Sequence, residues 1–246
     1  MIITIHQPEH MPWLGFFNKA INCDVFVLLD TVQYEKNYFQ NRNQIISNNN
    51  KREWLTVPIK KGKLKDLICD KQIDFNNKTK NKSKNKYLQQ IHRAYNSYPF
   101  YSGIMSDIKS IINDDNVSIS KLNIKLIKYF FRLLDIKCQL IISSDLQLKS
   151  CASGGIIIYT ICKKLKATTY LSGISGKHYL DEKKFLDNNI LVEYQDFTHP
   201  EYFQPKDEFV PNLSILDLVF SLKGEESFGI IKEGYELDRN RDARNR

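Results

Sequence analysis

ITIHQPEHMPWLGFFNKAINCDVFVLLDTVQYEKNYFQNRN, residues 3–43, decides the fold class. An apolar run (Ile2, Ile3, Ile5) ends in His6-Gln7-Pro8. Pro12 and Trp13 precede an amphipathic segment over residues 14–20, and a second apolar run, Val25-Phe26-Val27-Leu28-Leu29, ends on Asp30. The order is strand, polar turn, helix, strand, acid. Strands joined through a helix run parallel and end on one edge of their sheet, and ligands bind beyond those carboxyl ends. His6, Gln7 and Asp30 all fall on that edge. Polar side chains buried there are costly unless paired, and a site accounts for them.

Working outward, residues 31–43 form a connection longer than the usual run of about 4–6 residues. It carries Gln33, Tyr34, Lys36, Gln40, Asn41, Arg42 and Asn43. Amides and an arginine can hold sugar hydroxyls and phosphate; they can equally cap turns. Residues 45–46 and 54–57 flank Asn48-Asn49-Asn50-Lys51 as a hairpin. Two basic runs follow, KKGKLKD (Lys60, Lys61, Lys63, Lys65) and KTKNKSKNK over residues 78–86. They read either as phosphate or tRNA contacts with steep salt dependence or as solvated lysines.

Apolar spacing predicts helices over 87–98, 100–112 and 118–134, the last with Ser120 as N-cap. A strand over 138–142 and a helix over 154–165 follow, then a short central strand over 168–172. That strand runs into Gly173-Ile174-Ser175-Gly176-Lys177-His178-Tyr179, where a glycine-serine turn before a helix makes an anion nest plausible. The GxxGK spacing is not that of a Walker A loop. A helix over 181–188, a strand over 190–194, a loop through His199 and a final helix capped by Ser214 or Asn212 complete the pattern. The expectation is an α/β, Rossmann-like three-layer fold, with a parallel or mixed sheet and helices on both faces. One domain spans residues 1–224 with a hairpin and helical insertion at about 60–135, and residues 225–246 read as a charged, frayed tail.

The chain has 246 residues, 42% of them hydrophobic, enough for one core of this size. It shows no apolar run of membrane-spanning length and no basic region before its first apolar run. Five scattered cysteines without a CxxC pair suit a reducing cytoplasm. A net charge of +8 favours anionic partners such as nucleotide-sugar phosphates, tRNA, an acyl-carrier protein or a membrane surface; solvated lysines alone also produce it. His6, His10, His178 and His199 lack metal-ligand spacing, Cys151 and Cys162 have no local support as nucleophiles, and the GxSxG spacing is absent.

The motifs HQP, PWLGFF, DVFVLLD, VQYEKN, QNRN and WLTVP, followed by SGISGKHYL, VEYQDFTHPEY and FVPNLSILDLVF, resemble the WbqC-like family over residues 2–222. That resemblance implies a setting in bacterial polysaccharide and O-antigen gene clusters. A more distant likeness is to HxGH nucleotidylyltransferases, but Pro12 stands where their glycine would be and Trp13 replaces their second histidine.

The resemblance implies transfer of an acyl or aminoacyl (glycyl) group to the amine of a nucleotide-linked dideoxy-amino sugar such as dTDP-4-amino-4,6-dideoxyglucose. Such a step needs a base of tuned pKa, with His6 first and His199 second, and Asp30 to orient it. It needs oxyanion donors, for which Gln7, Gln40 and the Gly173 to Gly176 amides are candidates. Arg42 and Lys177 would neutralise the diphosphate, with Trp13, Gln33, Asn41, Ser172 and Tyr179 as further substrate contacts. The acyl donor is an aminoacyl-tRNA or a thioester on carrier protein or coenzyme A; no bound cofactor or metal is expected. The other reading is a nucleotide-sugar-binding or nucleotidylyltransferase-like protein without acyl transfer.

Overall fold

The computed structural model describes residues 1–47, 49–62, 65–75, 84–114, 117–148, 154–206 and 208–236. The first basic run's Lys63, the second run's residues 78–83, Cys151 and the last ten residues of the expected tail lie outside the described residues. The two apolar runs of the N-terminal stretch become strands β1 (Ile2–His6) and β2 (Val25–Leu28), joined by helix α1 (Leu14–Ile21). With β5 (Gln139–Ile142), β6 (Thr169–Gly173) and β7 (Leu191–Gln195) they make an all-parallel sheet in the order β5-β2-β1-β6-β7. The strand after β1 pairs on one side of it and β6 on the other. The sheet therefore reverses its winding between β1 and β6, and a crevice opens at such a switch point.

Alternation along β1 and β2 assigns the two faces. Ile3, Ile5, Val25, Val27 and Leu29 pack against Ile157, Ile158 and Ile161 of α5 (Gly155–Lys164) and Phe185 of α6 (Glu182–Leu186). Phe26 and Leu28 pack on the opposite face with Phe16 and Phe17 of α1 and with Leu126 and Phe130 of α4 (Ile119–Leu133). Phe16 sits 4.8 Å from Phe26, ring centre to ring centre. Burying each such ring contributes about 1.5–3 kcal/mol. The result is the three-layer α/β arrangement expected.

Between β2 and β5 the chain inserts the antiparallel hairpin of β3 (Arg42–Ile46) and β4 (Arg52–Thr56), then α2 (Lys84–Tyr95), α3 (Tyr101–Asn113) and α4. Arg42 and Asn43 thus belong to a strand rather than to the polar loop. The N-cap of α4 is Ser118, whose side chain accepts from Lys121 N–H, and not Ser120, which lies buried inside the helix. After α7 (Ile215–Ser221), capped by Ser214, the pattern does not end. Residues Gly224–Glu233 form α8, which buries Ile231 and packs against α1. Asn18 of α1 donates to the carbonyls of Ile231 and Tyr235, satisfying backbone acceptors at the end of α8.

Candidate functional site

A cleft of about 720 Å³ opens beyond the carboxyl ends of β1 and β6. Its lining comes from β1 and the following turn (His6, Gln7, Glu9), from α1 and its cap (Trp13, Lys19), and from the loop after β2 (Gln33, Glu35, Tyr38). The start of α5, the end of β6 (Gly173, Ile174, Ser175), Tyr179 and the end of β7 (Gln195, Asp196, Phe197) close it.

The His6 to His10 turn is fastened from behind. Asn123 of α4 donates from Nδ2 to the carbonyls of Pro8 and Gln40, at 2.8 Å each. Its Oδ1 therefore accepts from His10 Nδ1, 2.9 Å away, which leaves His10 Nε2 to accept from the Tyr87 hydroxyl at 2.6 Å. His10 is fully buried, and both its nitrogens are engaged away from the cleft. Hence a second imidazole from this turn does not reach the cleft, and the HxGH likeness gains nothing from the fold.

His6 does reach it. Its Nδ1 lies 3.1 Å from the Gln7 carbonyl. A carbonyl only accepts, so Nδ1 carries the proton and Nε2 presents a lone pair. Nε2 faces Glu9 Oε1 at 3.8 Å, and the ring packs edge-on against Phe16. Burial, assisted by the Lys19 charge, pulls the imidazole down to about 3, so it is neutral near pH 7. Glu9 is 6% exposed and its carboxyl is raised by burial to about 7; Lys19 is 5% exposed and lowered by burial to about 8. Glu9 Oε2 is buried with no hydrogen-bond partner among the described residues. A carboxyl and an amine that both titrate close to neutrality can exchange a proton on the cleft floor, and the neutral His6 Nε2 beside Glu9 offers a hydrogen-bond acceptor.

Gln7 is oriented by relay. The Glu35 N–H donates to Gln40 Oε1 at 2.8 Å, so the Gln40 amide nitrogen donates to Gln7 Oε1 at 2.7 Å. The Gln7 amide nitrogen remains as the donor end of that chain. Gln40 itself is fully buried and acts through Gln7. Gln195 is held by donation to Gly15 O and Asn18 Oδ1, which leaves its carbonyl oxygen as the free end of the amide.

Of the residues expected from sequence, His6, Gln7, Trp13, Gln33, Gly173 and Tyr179 come together around the cleft. The others do not line it. Asp30, 2% exposed, turns its carboxylate away to accept from the hydroxyls of Ser120, Ser143 and Ser144 and from Ser144 N–H, at 3.0–3.1 Å. It braces the end of β2 against the turn after β5 and against α4. Asn41 donates to Val57 O, and the Arg42 guanidinium stacks 3.9 Å from the Trp54 ring centre. Lys177 lies over Tyr194.

Ser172 donates to Gly173 O, and Gly176 packs so closely that a Cβ there would stand 2.1 Å from Ser172 Oγ. The Gly176 requirement is thus one of packing. His199 donates from Nδ1 to Pro200 O within a cluster of Phe197, Tyr202 and Phe209, and burial lowers its pKa.

Sequence reading missed Glu9 and Lys19. The signal was present: Lys19 is a charge inside an otherwise apolar helix (LGFFNKAI), and Glu9 sits in a turn pinned by Pro8 and Pro12.

Among the described residues no group of acids, histidines and cysteines is placed to hold a metal, and no helix is long and apolar enough to cross a membrane. Compared with known proteins, the chain is similar to an uncharacterized protein of Mycobacterium tuberculosis, 28% identical over 226 residues, covering 91% of this chain and 94% of that one. The profile of the WbqC-like protein family matches residues 7–228 and so takes in the cleft-lining turn from Gln7 onward, β6 and α7. The chain belongs to the WbqC-like protein family.

Proposed function

We propose that this protein is a transferase that places an acyl or aminoacyl group, glycyl among them, on the amine of a nucleotide-linked dideoxy-amino sugar. The setting would be the cytoplasmic stages of bacterial O-antigen assembly. The observation that carries the reading is the His6 Nε2 acceptor, held in a fixed tautomer beside the Glu9 carboxyl that titrates near 7, in a cleft at the switch point of a parallel sheet. Amide ends at Gln7 and Gln195 suit sugar hydroxyls, and the rings of Trp13, Tyr38 and Tyr179 suit a sugar or base face. Arg42 and Lys177, first assigned to the diphosphate, do not line the cleft, and Lys19, its lysine among the described residues, is coupled to Glu9. The net charge of +8 suits an anionic carrier for the acyl group, whether aminoacyl-tRNA or thioester.

The test is a mass-shift assay with dTDP-4-amino-4,6-dideoxyglucose as acceptor. One arm supplies glycine, ATP, tRNA and glycyl-tRNA synthetase; a second supplies acetyl-CoA. A gain of one acyl unit in either arm, reduced by about 10²–10⁴ in a folded His6→Ala variant, is expected. Saturable binding of the sugar nucleotide without product from any donor, or wild-type turnover by His6→Ala, would contradict the assignment.

A further inference from the structure

The geometry points to Glu9 as the carboxylate that receives the substrate's primary amine and takes its proton, with His6 as the second acceptor. This rests on the reading that the substrate carries an amine. Glu9 lines the open cleft, and its Oε2 is buried with no hydrogen-bond partner among the described residues. A carboxylate so poorly paired is expensive unless a ligand's donors and charge offset it. A primary ammonium supplies three donors and the opposite charge. The 3.8 Å gap between Glu9 Oε1 and His6 Nε2 is too long for a hydrogen bond, and a donor group seated there can engage both.

The charged groups around Glu9 are consistent with this. Lys19 of α1 supports the ionised carboxylate electrostatically, while its own pKa is depressed. From the loop after β2, Glu35 lines the cleft, and Tyr38 feels the charges of both Glu9 and Glu35. Asp196 closes the β7 side, and the phenols of Tyr170 and Tyr179, both raised by burial, stay neutral. Two further acids on the walls favour a cationic over an anionic group at this end.

The proton balance closes. The ammonium gives one proton to the Glu9 carboxylate, and the free amine attacks the acyl carbon. As the C–N bond forms, the nitrogen's second N–H donates a hydrogen bond to His6 Nε2. The carbon–oxygen or carbon–sulfur bond to the donor then breaks, and that second proton leaves with the departing alkoxide or thiolate. Glu9 returns its proton to solvent when the amide leaves.

The test compares binding of methyl 4-amino-4,6-dideoxyglucoside with that of its 4-hydroxy counterpart by isothermal titration, together with the dTDP-linked pair. Wild-type protein is expected to prefer the amino sugar by about tenfold or more at pH 8, since a hydrogen bond to a charged group is at stake. The preference should fade as the pH drops below about 7 and Glu9 protonates. Glu9→Gln should bind both sugars alike, and Glu9→Asp, which keeps the charge, should retain part of the preference.

Undiminished preference in Glu9→Gln, or none in wild type, would overturn the proposal. A Glu9-dependent preference among the simple glycosides, with no gain from the nucleotide, would instead remove only the nucleotide half of the proposed function. Tight binding of both dTDP sugars with no amine preference would remove only the role of Glu9.

Discussion

Asp30→Ala is expected to lower the stability of the fold by about 3–5 kcal/mol, the range seen when one member of a buried charged network is removed. The carboxylate accepts four hydrogen bonds, from three serine hydroxyls and one backbone N–H, and Ser143 also accepts from the N–H of Asp30. Removing it leaves buried donors facing one another where β2, the turn after β5 and α4 meet. At roughly 2–4 °C per kcal/mol for a chain of this size, the midpoint should fall by roughly 10 °C. Urea denaturation measures the change directly. The competing outcome is informative: wild-type stability with lost turnover would restore Asp30 to the chemistry, where its place after a strand first suggested it.

Glu9→Gln is expected to behave in the opposite way, slower by about 10²–10⁴ in turnover and more stable above pH 7. Burial raises the Glu9 carboxyl from 4.5 to about 7. The folded state therefore holds that proton more tightly than the unfolded chain does. The cost is absent below about pH 4.5, where both states are protonated, grows between 4.5 and 7, and is constant above.

At about 1.36 kcal/mol per pKa unit the upper limit is ~3 kcal/mol. The loss of the Glu9 charge beside the Lys19 ammonium offsets part of it, since that carboxylate is what raises the Lys19 pKa against burial. A gain of about 1–2 kcal/mol at pH 8, shrinking to nothing near pH 4.5, is the expected profile in urea melts. A loss of stability at pH 8 would show that Glu9 is a structural partner. Opposite signs for Asp30 and Glu9 separate a brace from a reactive group, although both are buried acids near the same sheet edge.

The contrast between those two acids marks what the sequence could tell. Strand and helix identity was legible wherever apolar spacing was regular, from Ile3 and Ile5 through Val25 to Leu29 and along α4. The parallel edge that carries His6 and Gln7 followed from those elements. The order β5-β2-β1-β6-β7 did not, because pairing of β1 with β6 joins residues more than 160 positions apart.

Helix α8 escaped because its buried face is narrow, resting on Ile231 with Phe228 and Ile230 partly covered. At the site, spacing gave the residues on the edge but not where their side chains turn. Asp30 points back into three serines contributed by α4 and the turn after β5, and Arg42 points to Trp54 across the hairpin. Glu9 and Lys19 become buried only through tertiary packing. The amide-rich segment after β2 divides the same way: Gln33 faces the cleft, Gln40 acts through Gln7, and Asn41 ties down Val57.

The central claim is that substrate binds where β1 and β6 end. Hydrogen–deuterium exchange with and without dTDP-4-amino-4,6-dideoxyglucose tests it most directly. The account predicts ligand-dependent protection of residues 6–9 and 173–179, with the groove between α2 and α3 (lined by His92 and Tyr101) unchanged. Protection confined to that groove, with none at the strand ends, would contradict it.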